Sequence, residues 1–199
     1  ADVVIVGTGY SGLAAAIVSR QLGMKVLIIE KMPVAGGNSV IAHGGANAAD
    51  PLRQKRQGIE DSTDLHFKHT MDGGDNINDP EKVRYFVDHA LDDAVNYLER
   101  LGVKWPEKVV RGYGSLWERT HYPGTYTDAK GQLWKMGAAN VRAQFDELER
   151  IGQPILLNHE LTGLVREKPL EGRVLGVEVK NKGRKMYFKA RRGVILASG

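Results

Sequence analysis

Four short apolar runs frame the chain. Val3-Val4-Ile5-Val6 and, within Lys25-Val26-Leu27-Ile28-Ile29-Glu30, the four residues between the charged ends are apolar at consecutive positions, the pattern of strands covered on both faces of a parallel sheet. Between them Leu13 to Val18 run without a breaker, and Gly23 follows as a C-terminal stop. Residues 2–30 therefore predict a βαβ unit with a right-handed crossover. Ile155-Leu156-Leu157 predicts a short strand, and Gly193 to Gly199 another buried strand ending in a turn of small residues.

The helical period dominates the middle of the chain. Asp79 is a good N-cap, with Pro80 at the first helical position. After it Val83, Phe86, Val87, Ala90, Leu91, Ala94, Leu98 and Leu101 fall on one stripe, so a helix over 79–101 ending at Gly102 is expected. Val141, Phe145, Leu148 and Ile151 predict a second helix over 137–152, and Ser62 caps a third near 62–71. Residues 33–49 are rich in Gly, Ala, Asn and Ser and read as loop with at most a short helix. Residues 103–135 carry Trp105, Trp117 and Trp134 without a clean period, and read as loops over a site. Leu161–Arg166, Arg173–Lys180 and Lys185–Ala190 alternate between turn residues, the pattern of a small antiparallel meander. The expected fold class is α/β: a Rossmann-type parallel sheet, a helical excursion over about 50–152, the meander over about 161–190 and the last strand at 193–199. The length fits one domain, with room for a smaller appended unit.

Gly7-Thr8-Gly9-Tyr10-Ser11-Gly12 lies between the first strand and the first helix. In that context the glycines have separate tasks. Gly7 allows the tight turn, Gly9 lets a pyrophosphate approach the backbone, and Gly12 lets helix pack on strand. The free N–H groups and the helix dipole favour phosphate. Glu30, 18 residues beyond Gly12, ends the second strand, where a carboxylate accepts from ribose hydroxyls and repels a 2′-phosphate. This points to NAD or FAD rather than NADP. Two further stretches favour FAD. Glu30-Lys31 is followed by Gly36-Gly37-Asn38-Ser39, which brings the chain close to an extended cofactor, and Ala42-His43-Gly44-Gly45-Ala46-Asn47-Ala48 offers unshielded backbone to a flavin ring. The turn at Leu196-Ala197-Ser198-Gly199 supplies a third close approach.

These segments, together with Met71-Asp72-Gly73-Gly74 and Asn78-Asp79-Pro80, resemble the flavoprotein of the fumarate reductase / succinate dehydrogenase family, and within it the soluble flavocytochrome c type. The resemblance covers essentially the whole chain. It implies that Gly7, Gly9, Ser11, Gly12 and Glu30 bind the ADP half of FAD. It implies that Gly36, Gly37, Asn38, Ser39, Gly44 and Gly45 line the flavin side, that His43 lies near it, and that backbone near Leu161 meets the adenine. Membrane-bound relatives attach flavin through a histidine where this chain has Asn38, so FAD is expected to be non-covalent. Where relatives carry His-Arg-Pro, this chain reads His121-Tyr122-Pro123, a departure from the dicarboxylate pattern. Relatives continue past the turn at 197–199 into a capping domain holding the catalytic acid and substrate clamps. The resemblance thus implies an incomplete FAD domain, inactive in isolation, with its catalytic residues outside this chain. The parent reaction it implies is hydride transfer from flavin N5 to the activated double bond of an unsaturated carboxylate such as fumarate, or its reverse. The electron donor would be a haem domain, a quinone-linked subunit or a soluble carrier. Aspartate oxidases and ketosteroid dehydrogenases are the neighbouring enzymatic alternatives, and a non-catalytic dinucleotide-binding piece is the non-enzymatic one.

Composition narrows this further. There is no cysteine, which removes disulfides, thiolate catalysis, Fe–S ligation and c-type haem attachment from these residues and leaves bacterial periplasm and cytoplasm both open. No apolar run approaches the ~18 residues of a membrane span, and the opening strand carries no signal-peptide pattern. The net charge of +4 comes with only short basic clusters, which argues against nucleic acid and for a surface that attracts small anionic substrates. His66-x-x-His69 has a two-ligand helical spacing with Asp64 and Asp72 nearby, but with no evident third or fourth ligand it is read as a solvated helix face, not a metal site.

Overall fold

The computed structural model describes residues 1–112 and 114–199. In chain order the elements are β1 (Val3–Val6), α1 (Tyr10–Gln21), β2 (Val26–Ile29), β3 (Ala46–Asn47), α2 (Pro51–Arg56), α3 (Thr63–Gly73), α4 (Pro80–Ala90) and α5 (Tyr97–Arg100). Then follow β4 (Val109–Val110), β5 (Thr120–His121), β6 (Thr125–Thr127), β7 (Leu133–Lys135) and α6 (Met136–Arg150). The chain closes with β8 (Ile155–Leu156), β9 (Glu160–Lys168), β10 (Glu171–Asn181), β11 (Arg184–Lys189) and β12 (Gly193–Leu196). They form two compact units, residues 1–41 with 144–199, and residues 42–143.

The first unit is built on a parallel sheet of order β12-β1-β2-β8. Its central strand is buried throughout, as the unbroken apolar run of β1 requires. Val4, Val6 and Ile29 face an antiparallel meander of order β11-β10-β9 and pack with Val177, Val179 and Ala190. The alternating positions Ile5 and Ile28, both fully buried, project to the opposite face, and α1 packs against these strands. β12 departs from the expectation of a buried strand. It is an outer strand of the sheet, and Ile195 and Leu196 are 38 % and 56 % exposed, because only one edge of it is paired.

The second unit holds the helical excursion. Asp79 caps α4 through the Glu81 and Lys82 amides, and the Ser62 hydroxyl caps α3 through the Leu65 amide. The expected single helix over 79–101 is interrupted by a π-helical turn at Leu91–Asn96. The wider turn inserts residues without advancing the stripe. Val95, which the α-helical stripe leaves out, is therefore buried with Val87, Ala90 and Leu98; Phe86, in the α-helical segment ahead of that turn, is 51 % exposed and meets His66 edge-on. The aperiodic stretch 103–135 folds as short strands, β4 and β5 with β3 in a sheet of order β3-β5-β4, and β6 with β7 as a hairpin. Trp105 is buried and donates its indole N–H to the Val95 carbonyl; Trp117 donates to Glu60 and Trp134 to Asp128.

Candidate functional site: a phosphate loop with a clasped carboxylate

A cavity of about 900 Å³ opens where β1, β2 and β12 end, within the first unit. Its position follows from the parallel strands, whose carboxyl ends leave a crevice at the mouth of the following helix. Gly7 has φ +101°, and a Cβ there would stand 2.4 Å from the Ala197 carbonyl oxygen. A Cβ on Gly12 would stand 2.2 Å from the Gly7 carbonyl oxygen, so that glycine sets how closely α1 approaches β1. Gly9 is different. Its φ of −64° suits any residue and its Cβ would meet only the Ser39 hydroxyl at 3.2 Å; leaving out that side chain keeps the helix mouth open.

The first intrahelical bond of α1 runs from the Leu13 amide to the Gly9 carbonyl, so the amides before it are unspent within the helix. The Tyr10 amide donates to the Ser39 hydroxyl at 3.0 Å. The Ser11 and Gly12 amides have no acceptor among the described residues, and no acidic side chain stands in the first turn. This is a donor-rich, positively polarised helix end of the kind that binds phosphate.

Glu30 is 8 % exposed and its carboxylate is clasped. Oε2 accepts from the Thr8 amide at 3.1 Å and the Thr8 hydroxyl at 2.6 Å; Oε1 accepts from the Met32 amide at 2.9 Å. The Thr8 hydroxyl in turn accepts from the Gly36 amide at 3.0 Å. One hydroxyl thus ties together the glycine loop, the acid at the end of β2 and the turn at 36–39, where Gly36 and Gly37 take positive φ. With both oxygens engaged by donors the carboxylate is held in one orientation, and Oε1 keeps acceptor capacity for a further hydroxyl.

Of the residues expected from sequence, Gly7, Gly9, Ser11, Glu30, Lys31, Gly37, Asn38, Ser39 and Ser198 all line this cavity. Gly12 is buried behind it. Leu161 lies in β9, opposite Val179, with its side chain in the core between meander and sheet. His43, Gly44 and Gly45 belong to the second unit. There Gly44 has φ +79° and packs on Gly137, its carbonyl accepts from the Asn140 amide, and His43 meets Tyr122 edge-on at 5.6 Å. Sequence reasoning missed Thr8, and it placed Gly36 near the cofactor without its role as a donor to the Thr8 hydroxyl. The available signal was a hydroxyl residue between the first two glycines, 1 % exposed in the structure.

The reading of His66 as part of a solvated helix face is corrected. His66 is 5 % exposed and edge-on to Phe86, while Asp64 and Asp72 lie at the surface paired with Arg84 and Lys68. Among the described residues no group of three or more His, Asp or Glu is placed to hold a metal ion, and no helix is long and apolar enough to cross a membrane. Burial, with the nearby Arg119 charge second, pushes the His66 imidazole down to about 4. The unfolded chain, with His66 at its ordinary value near 6.5, binds this proton first. His66 therefore contributes stability that is fully present above about pH 6.5 and is lost as pH falls toward 4, on the order of 3 kcal/mol over that window. His66→Phe should flatten that part of the stability–pH curve in urea denaturation; an unchanged slope would refute the assignment.

A second buried carboxylate anchors the fold of this unit. Asp50 caps α2 through the Leu52 and Arg53 amides, pairs with Arg53 and accepts from His121 Nε2 at 3.1 Å. Burial raises the Asp50 carboxyl, but hydrogen bonds from His121 and Arg53 outweigh it and hold it well below the usual carboxylate range.

Comparison with known proteins agrees with this geometry. The family model described as FAD binding domain matches residues 2–199. "Fumarate reductase (cytochrome)" of Shewanella frigidimarina is 37 % identical over 198 residues, covering 100 % of this chain and 33 % of that protein. "NADH:fumarate oxidoreductase" of Klebsiella pneumoniae is 34 % identical over 199 residues, covering 100 % of this chain and 20 % of that one. The open conformation of a flavocytochrome c3 fumarate reductase superposes with a TM-score of 0.81 at 26 % identity, over 98 % of this chain and 33 % of that structure. The chain thus spans a third or less of the length of these relatives. The family model matches nearly the whole chain and the fold agrees with it: the chain belongs to the FAD-binding domain family, and over its full length it is similar to the fumarate reductases named above.

Proposed function

We propose that the cavity at the ends of β1, β2 and β12 holds the ADP half of FAD without a covalent bond, and that the protein carrying this chain reduces the activated C=C bond of a small unsaturated carboxylate such as fumarate, or runs the reverse succinate-type dehydrogenation. The observation that carries the cofactor reading is the pairing of unspent α1 amides with a clasped, buried Glu30 across one cavity. The Ser11 and Gly12 amides would hold the pyrophosphate, Glu30 Oε1 would accept from the ribose, and the 36–39 turn would carry the chain along the cofactor. Asn38 offers no imidazole for attachment, which supports a non-covalent flavin.

When bound, the flavin supplies hydride chemistry at N5. The residues of this chain bind and orient it. Thr8 holds the Glu30 carboxylate in one orientation, and Ser39 spends the Tyr10 amide, so the remaining amides select the phosphate position. Full-chain identity to fumarate reductases supports the substrate class. Electrons would come from a haem domain, a quinone-linked subunit or a soluble carrier.

The test begins with the visible spectrum of the purified protein before and after acid precipitation, with flavin expected in the supernatant. Reduced-dye oxidation by fumarate and other unsaturated acids follows; flavin in the pellet, or no acceptance of any such acid, overturns the corresponding half of the proposal. Thr8→Val should weaken FAD binding about tenfold or more through loss of a hydrogen bond to a charged group, and Thr8→Ser should restore it. Equal affinities in titration of the apoprotein would refute the clasp.

A further inference from the structure

A second cavity, of about 480 Å³, lies wholly within residues 42–143. Its wall includes Asn47 of β3, His66, His69 and Thr70 of α3, and Arg119 ahead of β5; no carboxylate lines it. Its polar groups divide into spent and unspent. Arg119, 1 % exposed, gives Nε (2.9 Å) and Nη2 (2.6 Å) to Asp61, and Nη1 has no partner among the described residues. Arg119 Nη2 also stands 3.4 Å from His69 Nδ1. A guanidinium can only donate, so Nδ1 is the acceptor and the neutral His69 ring carries its proton on Nε2. Asn47 Oδ1 accepts the Thr120 hydroxyl, which leaves the Asn47 amide N–H groups without an acceptor among the described residues. The Thr70 hydroxyl is spent on the His66 carbonyl. His66 is buried at the wall with Nδ1 unpaired.

The unspent groups are N–H donors, and Asp61, the carboxylate paired with the Arg119 guanidinium, does not line the cavity. A metal ion is a poor fit, because the His69 Nδ1 lone pair faces Arg119 and no acid joins the histidines. A phosphate dianion is also a poor fit, because Asp61 already offsets the Arg119 charge. The structure points to a binding site for a small organic carboxylate, held by Arg119 Nη1, Asn47 Nδ2 and His69 Nε2 and separate from the phosphate loop of the first unit. This inference does not depend on the FAD reading, since it rests on different residues.

The experiment is a titration of the FAD-loaded protein with acetate and then malonate, against chloride at matched ionic strength. The imidazole ¹⁵N resonances of His66 and His69 are the local readout. Saturable shifts with a carboxylate and none with chloride are expected. Asn47→Ala and His69→Leu should each weaken binding about tenfold, and in His69→Leu FAD content should stay at the wild-type level. Three outcomes overturn the proposal: no saturable shift, an equal response to chloride, or unchanged affinity in both variants. Sulfate binding as tightly as acetate would overturn the carboxylate preference.

Discussion

Asp61→Ala should destabilise the 42–143 unit by roughly 3–5 kcal/mol, the loss expected when one partner of a buried ion pair is removed. The Asp61 and Arg119 side chains are 0 % and 2 % exposed and meet through two hydrogen bonds. Asp61 also accepts from the Gln54 side chain and the Ser62 amide, so its carboxylate joins α2, the cap of α3 and the segment that leads into β5. Truncation leaves an almost fully buried guanidinium without its carboxylate. The pair itself is not the source of stability: a double replacement, Asp61→Leu with Arg119→Met, should recover most of the loss, because two matched apolar side chains need no desolvated charge. Urea denaturation of the two single variants and the double variant gives the coupling directly. A loss below about 1 kcal/mol in Asp61→Ala would show that the pair is hydrated or rearranged in solution.

Gly12→Ala and Gly9→Ala should separate folding from cofactor binding within one loop. At Gly12 the added methyl would meet the Gly7 carbonyl, which is main chain and cannot rotate aside. α1 must then lift from β1, at a cost of about 3 kcal/mol or more. At Gly9 the backbone accepts alanine and the methyl meets only a serine hydroxyl, so stability should change by less than about 1 kcal/mol. The methyl would instead occupy the helix mouth, and FAD affinity should fall about a hundredfold. The measurements are a denaturation midpoint and a flavin titration for each variant. Gly9→Ala binding FAD at wild-type strength would refute the proposed pyrophosphate position, whereas a stable Gly12→Ala would refute the packing argument alone.

Much of the frame was legible because its signals are local. Consecutive apolar residues at 3–6 and 26–29 can only be satisfied between two covered faces, and both strands appear where the run places them. Ser62 and Asp79 announced helix starts because a cap is a contact across three residues. Val95, fully buried, was left off the stripe because a π turn changes the helical phase, and nothing in the spacing of apolar residues marks where the extra residue enters.

The glycine loop and the acid after it carried their own meaning, since each task is set by backbone conformation within a few residues. Which side chains hold that acid was another matter. Thr8 and Glu30 are 22 positions apart, and Tyr10 and Ser39 are 29 apart. Their hydrogen bonds exist only because adjacent parallel strands bring the ends of β1 and β2 side by side. The same holds for Arg119 and Asp61, 58 positions apart, and for the carboxylate-free cavity beside them. By itself the sequence determined the strand–loop–helix geometry, the fold class and the backbone of the glycine loop, all set by short-range sterics and periodicity. Only the tertiary structure decided which polar groups are spent on one another and which remain unspent, because that depends on desolvated contacts between segments far apart in the chain.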